Sequence, residues 1–225
     1  MTFWRNVMAI TWKDILTELR TREIVFTVVV FAVLVIVIFN FAFGTTREAV
    51  ALVGPGILWV TFAFSGVLSL NRAFIPEKEG GCLEGLMAAP ISREAIYVGK
   101  MLGSLLSMVA IEAIALPVFA LLFDLRVFSV PLVLTTLLAT IGFVAVGTLF
   151  SALAVNTRAR EMVLPILFLP VVVPVIISAV KASALALDPS TEGWGEILGW
   201  LQIVGAFDVI FLVVSYLVFG FLIEE

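Results

Sequence analysis

The chain has 225 residues, of which 62% are hydrophobic and 13% charged, and its mean hydropathy is +1.21. Soluble domains carry about 45–50% apolar and about 25% charged residues, so the composition excludes a soluble enzyme and a disordered linker. A net charge of -4 offers no basic surface for nucleic acid. The chain has no histidine and one cysteine, Cys82, so neither a metal site nor an internal disulfide is predicted.

Six apolar runs are long enough to cross a bilayer core about 30 Å thick, which needs about 20 residues of helix. They occupy residues 24–43, 49–70, 101–123, 127–155, 162–180 and 201–223. Prolines 165, 170 and 174 interrupt the fifth run and predict a kinked helix. The predicted fold is therefore an all-α integral membrane protein, with residues 1–225 forming a single domain of six transmembrane helices.

The basic residues predict the orientation of these spans, because Lys and Arg are enriched in connections that face the cytoplasm. Ten of the 13 fall on the side of the N-terminus, namely Arg5, Lys13, Arg20, Arg22, Arg72, Lys78, Arg93, Lys100, Arg158 and Arg160. Arg47, Arg126 and Lys181 fall on the other side. Both termini are therefore predicted to be cytoplasmic, and the first span is expected to persist as an anchor.

Two segments outside the spans have amphipathic patterns. Within residues 3–22, an apolar arc is predicted to lie on the inner membrane surface, with the alternative that it packs on a partner protein. The arc consists of Trp4, Val7, Met8, Trp12, Ile15 and Leu19. On the outer side, residues 181–200 are expected to form a periplasmic loop that contains a short amphipathic helix.

The inner connection at residues 74–90 has the most specific pattern. Pro76 and the following glycine pair end the preceding helix, and Pro90 ends a run that is long enough for about two helical turns. That short helix presents an apolar face of Leu83, Leu86 and Met87. Three carboxylates lie nearby, those of Glu77, Glu79 and Glu84. A solvated hairpin is one interpretation; the exposed apolar face favours the other, a docking site for a cytosolic protein.

This loop resembles that of a known family. The matching residues are Phe74, Glu77, Glu79, Gly81, Leu83, Glu84, Leu86, Met87 and Pro90. They resemble the inner loop of the haem exporter protein B family, the B-type membrane subunit of the cytochrome c maturation ABC transporter. Further matches at residues 93–100, 160–165 and 206–210 extend the similarity over nearly the whole chain. Cys82 stands where a small hydroxyl residue is expected.

The resemblance implies a non-catalytic permease subunit of the ABC-2 type in the bacterial inner membrane. It implies pairing with a second copy and with two cytosolic ATPase subunits, alongside other cytochrome c maturation membrane subunits and a haem chaperone. Segment 3–22 would be the elbow helix. The residues expected to contact the ATPase are Glu77, Glu79, Gly81, Leu83, Glu84, Leu86 and Met87. No cofactor is expected to be bound covalently; haem is the expected substrate, either exported or released with its chaperone.

The sequence agrees with one implication independently of the resemblance. No phosphate-binding loop of the Gly-x4-Gly-Lys-Ser/Thr type occurs, because Gly99-Lys100 is followed by Met101. ATP must therefore be bound by a partner chain if it is used at all.

Two acids fall within the predicted spans. Glu112 lies about 16–17 Å along the helix from Met101, near the bilayer centre, where a carboxylate costs at least about 2.5–3.5 kcal/mol unless it is protonated or paired. One interpretation is a neutral acid bonded to a hydroxyl of the fourth span, with Thr135, Thr136, Thr140 and Ser151 as candidates. The other is a role in a substrate path or moving interface.

Asp208 is expected nearer the outer end of the last span, with a structural role such as pairing with Lys181. The two acids also define an alternative function, an ATP-independent secondary carrier or a membrane scaffold that uses Glu112. The absence of an inverted repeat in the sequence disfavours the carrier. Gly147 and Ser151 form a small-xxx-small pair, for which packing within the chain is favoured over a self-pairing interface.

Overall fold

The structure is a computed structural model that describes residues 2–21, 23–43, 46–74, 91–125, 127–154, 160–188 and 194–222. These residues form seven α-helices and no β-strand. The helices are α1 (Thr2–Thr21), α2 (Glu23–Phe43), α3 (Arg47–Leu70), α4 (Arg93–Phe123), α5 (Val130–Ala154), α6 (Arg160–Leu187) and α7 (Gly195–Leu222). Six of them, α2 to α7, are long and apolar enough to cross a membrane. The predicted all-α fold with six spans is confirmed.

Helix α5 is the centre of the bundle. In its most apolar stretch 72% of the residues are buried within the chain, against 17% for α2. It contacts α3, α4, α6 and α7, whereas α2 packs mainly on α3 and α4 at the edge. Small side chains on α5, among them Ala139, Gly142 and Ala145, allow four neighbours to approach one helix closely.

The contact between α3 and α5 depends on glycine at two positions. A Cβ atom at Gly66 would collide with the ring of Phe143, and a Cβ atom at Gly147 would collide with Leu70. Ser151 Oγ donates a hydrogen bond of 2.6 Å to the carbonyl of Leu70. The prediction that Gly147 and Ser151 pack within the chain is confirmed.

Prolines do not interrupt the helices that contain them. Helix α6 is continuous across Pro165, Pro170 and Pro174, and α3 is continuous across Pro55. Packing against neighbouring helices holds these segments helical despite the lost N–H donors.

The described part of residues 181–200 is mostly helical, and its periplasmic location stays a prediction. Helix α6 continues to Leu187 and α7 begins at Gly195, so most of the segment belongs to the two long helices. Ile197 and Leu201 pack against Ala182 of α6. The amphipathic pattern therefore reflects the start of α7 packing on α6, and the described residues include no separate surface helix.

Helix α1 lies against the N-terminal half of α4, so only part of the arc predicted for the membrane surface stays exposed. Val7 is fully buried, because Gly99 and Gly103 of α4 allow close approach of the two helices. Trp4, Met8, Trp12 and Leu19 remain between 61% and 67% exposed. The exposed part of the arc still fits the interfacial position, whereas Val7 belongs to the core.

Candidate functional site

The residues predicted to contact an ATPase lie outside the described residues. They are Glu77, Glu79, Gly81, Leu83, Glu84, Leu86 and Met87, all within segment 75–90. The structure describes the residues that flank this segment, Phe74 on one side and Ile91 on the other. These flanks define where the segment leaves and rejoins the bundle.

A hydrophobic cluster, here called the junction, gathers around these flanks. Its buried members are Ile10, Phe74, Ile96, Tyr97, Leu149 and Phe219. They come from α1, the end of α3, α4, α5 and α7, so five parts of the chain meet there. The ring centroid of Phe219 lies 5.3 Å from that of Tyr97 and 6.5 Å from that of Phe74.

Hydrogen bonds reinforce the junction. Tyr97 Oη donates to the carbonyl of Ala145 on α5 at 3.0 Å. Arg93 Nη1 donates to the carbonyl of Gly220 near the end of α7 at 3.2 Å. Because Arg93 follows segment 75–90 and Phe74 precedes it, both flanks of the segment are attached to the same end of α7.

Lys100 is the charged residue at the centre of these contacts, and its side chain is 2% exposed. Its Nζ lies 3.2 Å from Oδ2 of Asp14 on α1 and donates to the carbonyl of Ala73 at 2.9 Å. It also lies 5.2 Å from the ring centroid of Phe74. These contacts are not predicted from the sequence, where Lys100 enters as an orientation signal, as part of the 93–100 match and as part of Gly99-Lys100-Met101. The sequence feature that points to these contacts is the pair Gly99 and Gly103, because these glycines let α1 approach α4 beside Lys100.

Helix α4 extends from the junction across the bundle without a break. It has 31 residues, about 46 Å of helix. Since the hydrocarbon core is about 30 Å thick, one helix spans both the junction and the membrane interior. The N-terminal part of α4 at the junction and its apolar part therefore belong to one continuous helix.

Glu112 lies on α4 and is 3% exposed. It accepts a hydrogen bond of 2.6 Å from Thr140 Oγ1 on α5. The hydroxyl partner expected on the fourth span is thus confirmed and is Thr140. A role for Glu112 in a substrate path or moving interface stays a prediction.

Asp208 is not paired with Lys181, so that prediction is wrong. Asp208 is 5% exposed, and neither carboxylate oxygen has a hydrogen-bond partner among the described residues. Because α7 begins at Gly195, Asp208 lies about 20 Å along it, near the middle and away from the outer end. The carboxylate lies against Gly142 of α5, whose missing side chain makes room for it.

The structure does not bring the two acids together. Glu112 contacts α5 at Thr140, and Asp208 contacts it at Gly142. Positions two residues apart on a helix point about 200° apart, so the acids lie on opposite sides of α5. The described residues also contain no group of three or more His, Cys, Asp or Glu that could hold a metal ion.

These features define a class of protein: a multi-pass helical membrane protein with a packed junction at one end of the bundle and two buried acids within it. Residues 5–224 match the family model described as CcmB protein, and the chain belongs to that family. The family predicted from the 74–90 loop is confirmed.

Curated relatives cover most of the chain. It is 30% identical to Heme exporter protein B of Bradyrhizobium diazoefficiens, over 82% of this chain and 84% of the relative. It is 34% identical to Heme exporter protein B of Paracoccus denitrificans, over 72% of this chain and 76% of the relative. It is 30% identical to Heme exporter protein B of Pseudomonas aeruginosa, over 76% of this chain and 78% of the relative.

Proposed function

We propose that this protein is the membrane subunit of an ATP-driven system that serves haem delivery to c-type cytochromes. In this proposal a separate cytosolic subunit hydrolyses ATP, and this chain converts the resulting movement into displacement of its spans. Membership of the CcmB family and the names of the relatives support the haem-related role. The lack of a phosphate-binding loop in the sequence supports the assignment of ATP to a partner.

The main structural support is the convergence of both flanks of segment 75–90 in the junction. A hairpin that merely connects two spans does not require a packed anchor, because surface loops tolerate wide variation. Here the flanks pack against α1, α5 and α7. Close-packed interiors transmit displacement, so a pull on the segment would reach several spans at once.

Within segment 75–90, we assign Leu83, Leu86 and Met87 as the apolar face that enters a groove on the ATPase. Glu77, Glu79 and Glu84 would lie at the rim of this contact, with Gly81 at the start of the short helix. The substitution Leu86→Glu places a charge in the contact and is expected to abolish co-purification of the ATPase in detergent. Leu86→Met keeps the apolar volume and is the matched control. Equal co-purification by both variants would contradict the docking assignment.

The remaining parts of the proposal concern location and partners. The chain would lie in the bacterial inner membrane with both termini in the cytoplasm, as its Lys and Arg distribution favours. It would pair with a second copy and act with other cytochrome c maturation membrane subunits and a haem chaperone. Haem is the substrate in either version of the mechanism, direct export or release of the haem-loaded chaperone.

One observation favours a second candidate function, an ATP-independent carrier. Asp208 is buried without a hydrogen-bond partner among the described residues, and Glu112 is buried at mid-depth on the other side of α5. Both acids would then belong to the transport path. A carrier would remain active in cells whose ATPase partner carries an inactivated nucleotide site, whereas the ABC mechanism would stop.

A further inference from the structure

A buried lysine connects the base of segment 75–90 to the N-terminal helix. Lys100 Nζ contacts both carboxylate oxygens of Asp14, at 3.3 Å for Oδ1 and 3.2 Å for Oδ2. It also donates to the carbonyl of Ala73 and lies over the ring of Phe74. Ala73 and Phe74 are the last described residues before the segment, and Asp14 is on α1.

The ammonium group constrains all of these partners because it is buried. A desolvated charge is costly unless it is paired and hydrogen-bonded. Asp14 supplies the opposite charge, Ala73 a carbonyl acceptor and Phe74 a cation–π contact. If residues 73–74 move, Lys100 must either lose the Ala73 contact or move with it and displace Asp14.

We propose that Lys100 is a positioning residue that transmits movement of segment 75–90 to α1 through Asp14. The proposal rests on the proposed function, in which an ATPase moves that segment. The packing of α1 on α4 is close at Gly99 and Gly103, so a change in the ion pair shifts two helices that already touch. Helix α1 then responds to the nucleotide state of the partner, although segment 75–90 and α1 are far apart in sequence.

Lys13 provides a matched control. It pairs with the same carboxylate, 3.0 Å from Asp14 Oδ1, but its side chain is 48% exposed. Such exposed pairs contribute little to stability. Each of the variants Lys13→Met and Lys100→Met therefore removes one lysine that pairs with Asp14. Lys13→Met removes the exposed one, and Lys100→Met removes the buried one at the junction.

The experiment measures a distance and a yield in the complex of the full chain with its ATPase. Spin labels are attached at Ala9 on α1 and Ala110 on α4, which are both exposed, in a Cys82→Ser background. In the parent chain the distance between labels is expected to change between the nucleotide-free and ATP-trapped states. In Lys100→Met the change is expected to be lost while ATP hydrolysis continues. Lys13→Met should respond as the parent does.

The yield of c-type cytochrome per ATP hydrolysed is expected to fall at least about fivefold in Lys100→Met, the lower end of typical coupling between linked sites. Asp14→Asn should lower it in the same direction, and the double variant should be no worse than Lys100→Met. Asp14 is 20% exposed, so Asp14→Asn provides the test if Lys100→Met fails to accumulate. A normal distance change and yield in these variants would overturn the proposal. If the parent chain recruits no ATPase, the proposed function itself fails.

Discussion

Glu112 and Thr140 form a hydrogen bond in the middle of the bundle, where both side chains are buried. The carboxyl group of Glu112 accepts the Thr140 hydroxyl at 2.6 Å, and both residues are buried. Leaving one member of such a pair without its partner costs about 1–3 kcal/mol. The contact therefore stabilises the α4–α5 interface whatever its role in transport.

Substitution of Glu112 separates the stabilising role from a functional one. Glu112→Gln retains an acceptor for Thr140 and is expected to unfold at nearly the parent temperature. Glu112→Leu removes the acceptor and is expected to lower stability by about 1–3 kcal/mol. Thermal unfolding in detergent measures both variants, and the ATPase rate of the complex measures coupling. Equal stability of the two variants would contradict the stabilising role, and full coupling in both would exclude Glu112 from the mechanism.

Among the helices, the approach of α3 to α5 depends on the absence of side chains at glycine positions. Gly66→Ala places a methyl group against the ring of Phe143, which is itself packed on Phe168 at 4.7 Å between ring centroids. Overpacking of this kind costs about 1–3 kcal/mol. We therefore expect a lower unfolding temperature in detergent for Gly66→Ala.

Gly205 offers the control for this prediction, because a Cβ atom there would meet nothing within 4 Å. Alanine is favoured over glycine in a helix by about 0.5–1 kcal/mol, so Gly205→Ala is expected to be neutral or stabilising. A Gly66→Ala variant as stable as Gly205→Ala would show that Phe143 moves aside freely.

The corner between α1 and α2 contains a titratable contact outside the membrane-spanning segments. Glu18 Oε1 accepts a hydrogen bond of 2.9 Å from the backbone N–H of Val25. Burial raises the pKa of Glu18 above its ordinary 4.5; the Val25 bond acts in the opposite direction, and nearby Asp14 adds to the rise. The folded state thus holds the proton of Glu18 more tightly than the unfolded chain does.

This raised pKa predicts how stability depends on pH. The contribution of Glu18 is fully present below pH 4.5 and is lost as the pH rises through the raised value, since the ionised group is then partly desolvated. Glu18→Gln, which keeps an acceptor for Val25, is expected to be at least as stable as the parent at pH 7. The difference in unfolding temperature should shrink towards pH 4.5. A difference of opposite sign at pH 7 would contradict this account.

At the level of single helices, some features could be predicted from the sequence and others could not. The six spans depend on hydropathy within each segment, so the number and helical class of the elements follow directly from composition. The contacts of Val7, Lys100 and Asp208 depend on which helices are neighbours, which no local pattern specifies. The last apolar run begins at residue 201, which predicts that Asp208 lies near its start, whereas α7 begins at Gly195 and places Asp208 near the middle of the helix.

For the whole molecule, the junction links the base of segment 75–90 to the helices that are long enough to span a membrane. It joins the flanks of segment 75–90 to α1, α5 and α7, and α4 continues from it through the bundle. A driving force applied at one loop would therefore reach several helices at once instead of deforming a single hairpin. This arrangement fits the proposal that a separate ATP-hydrolysing subunit drives movement of this chain.

The sole cysteine of the chain allows the central claim to be tested with little change to the protein. Cys82 lies within segment 75–90, and a photoactivatable crosslinker attached to its thiol is expected to capture an ATP-hydrolysing subunit in native membranes. The same reagent on Lys181→Cys in a Cys82→Ser background, at an exposed position in the C-terminal part of α6, should not capture that subunit. Failure of Cys82 to capture an ATPase, or its labelling by impermeant thiol reagents only from outside the cell, would contradict the account.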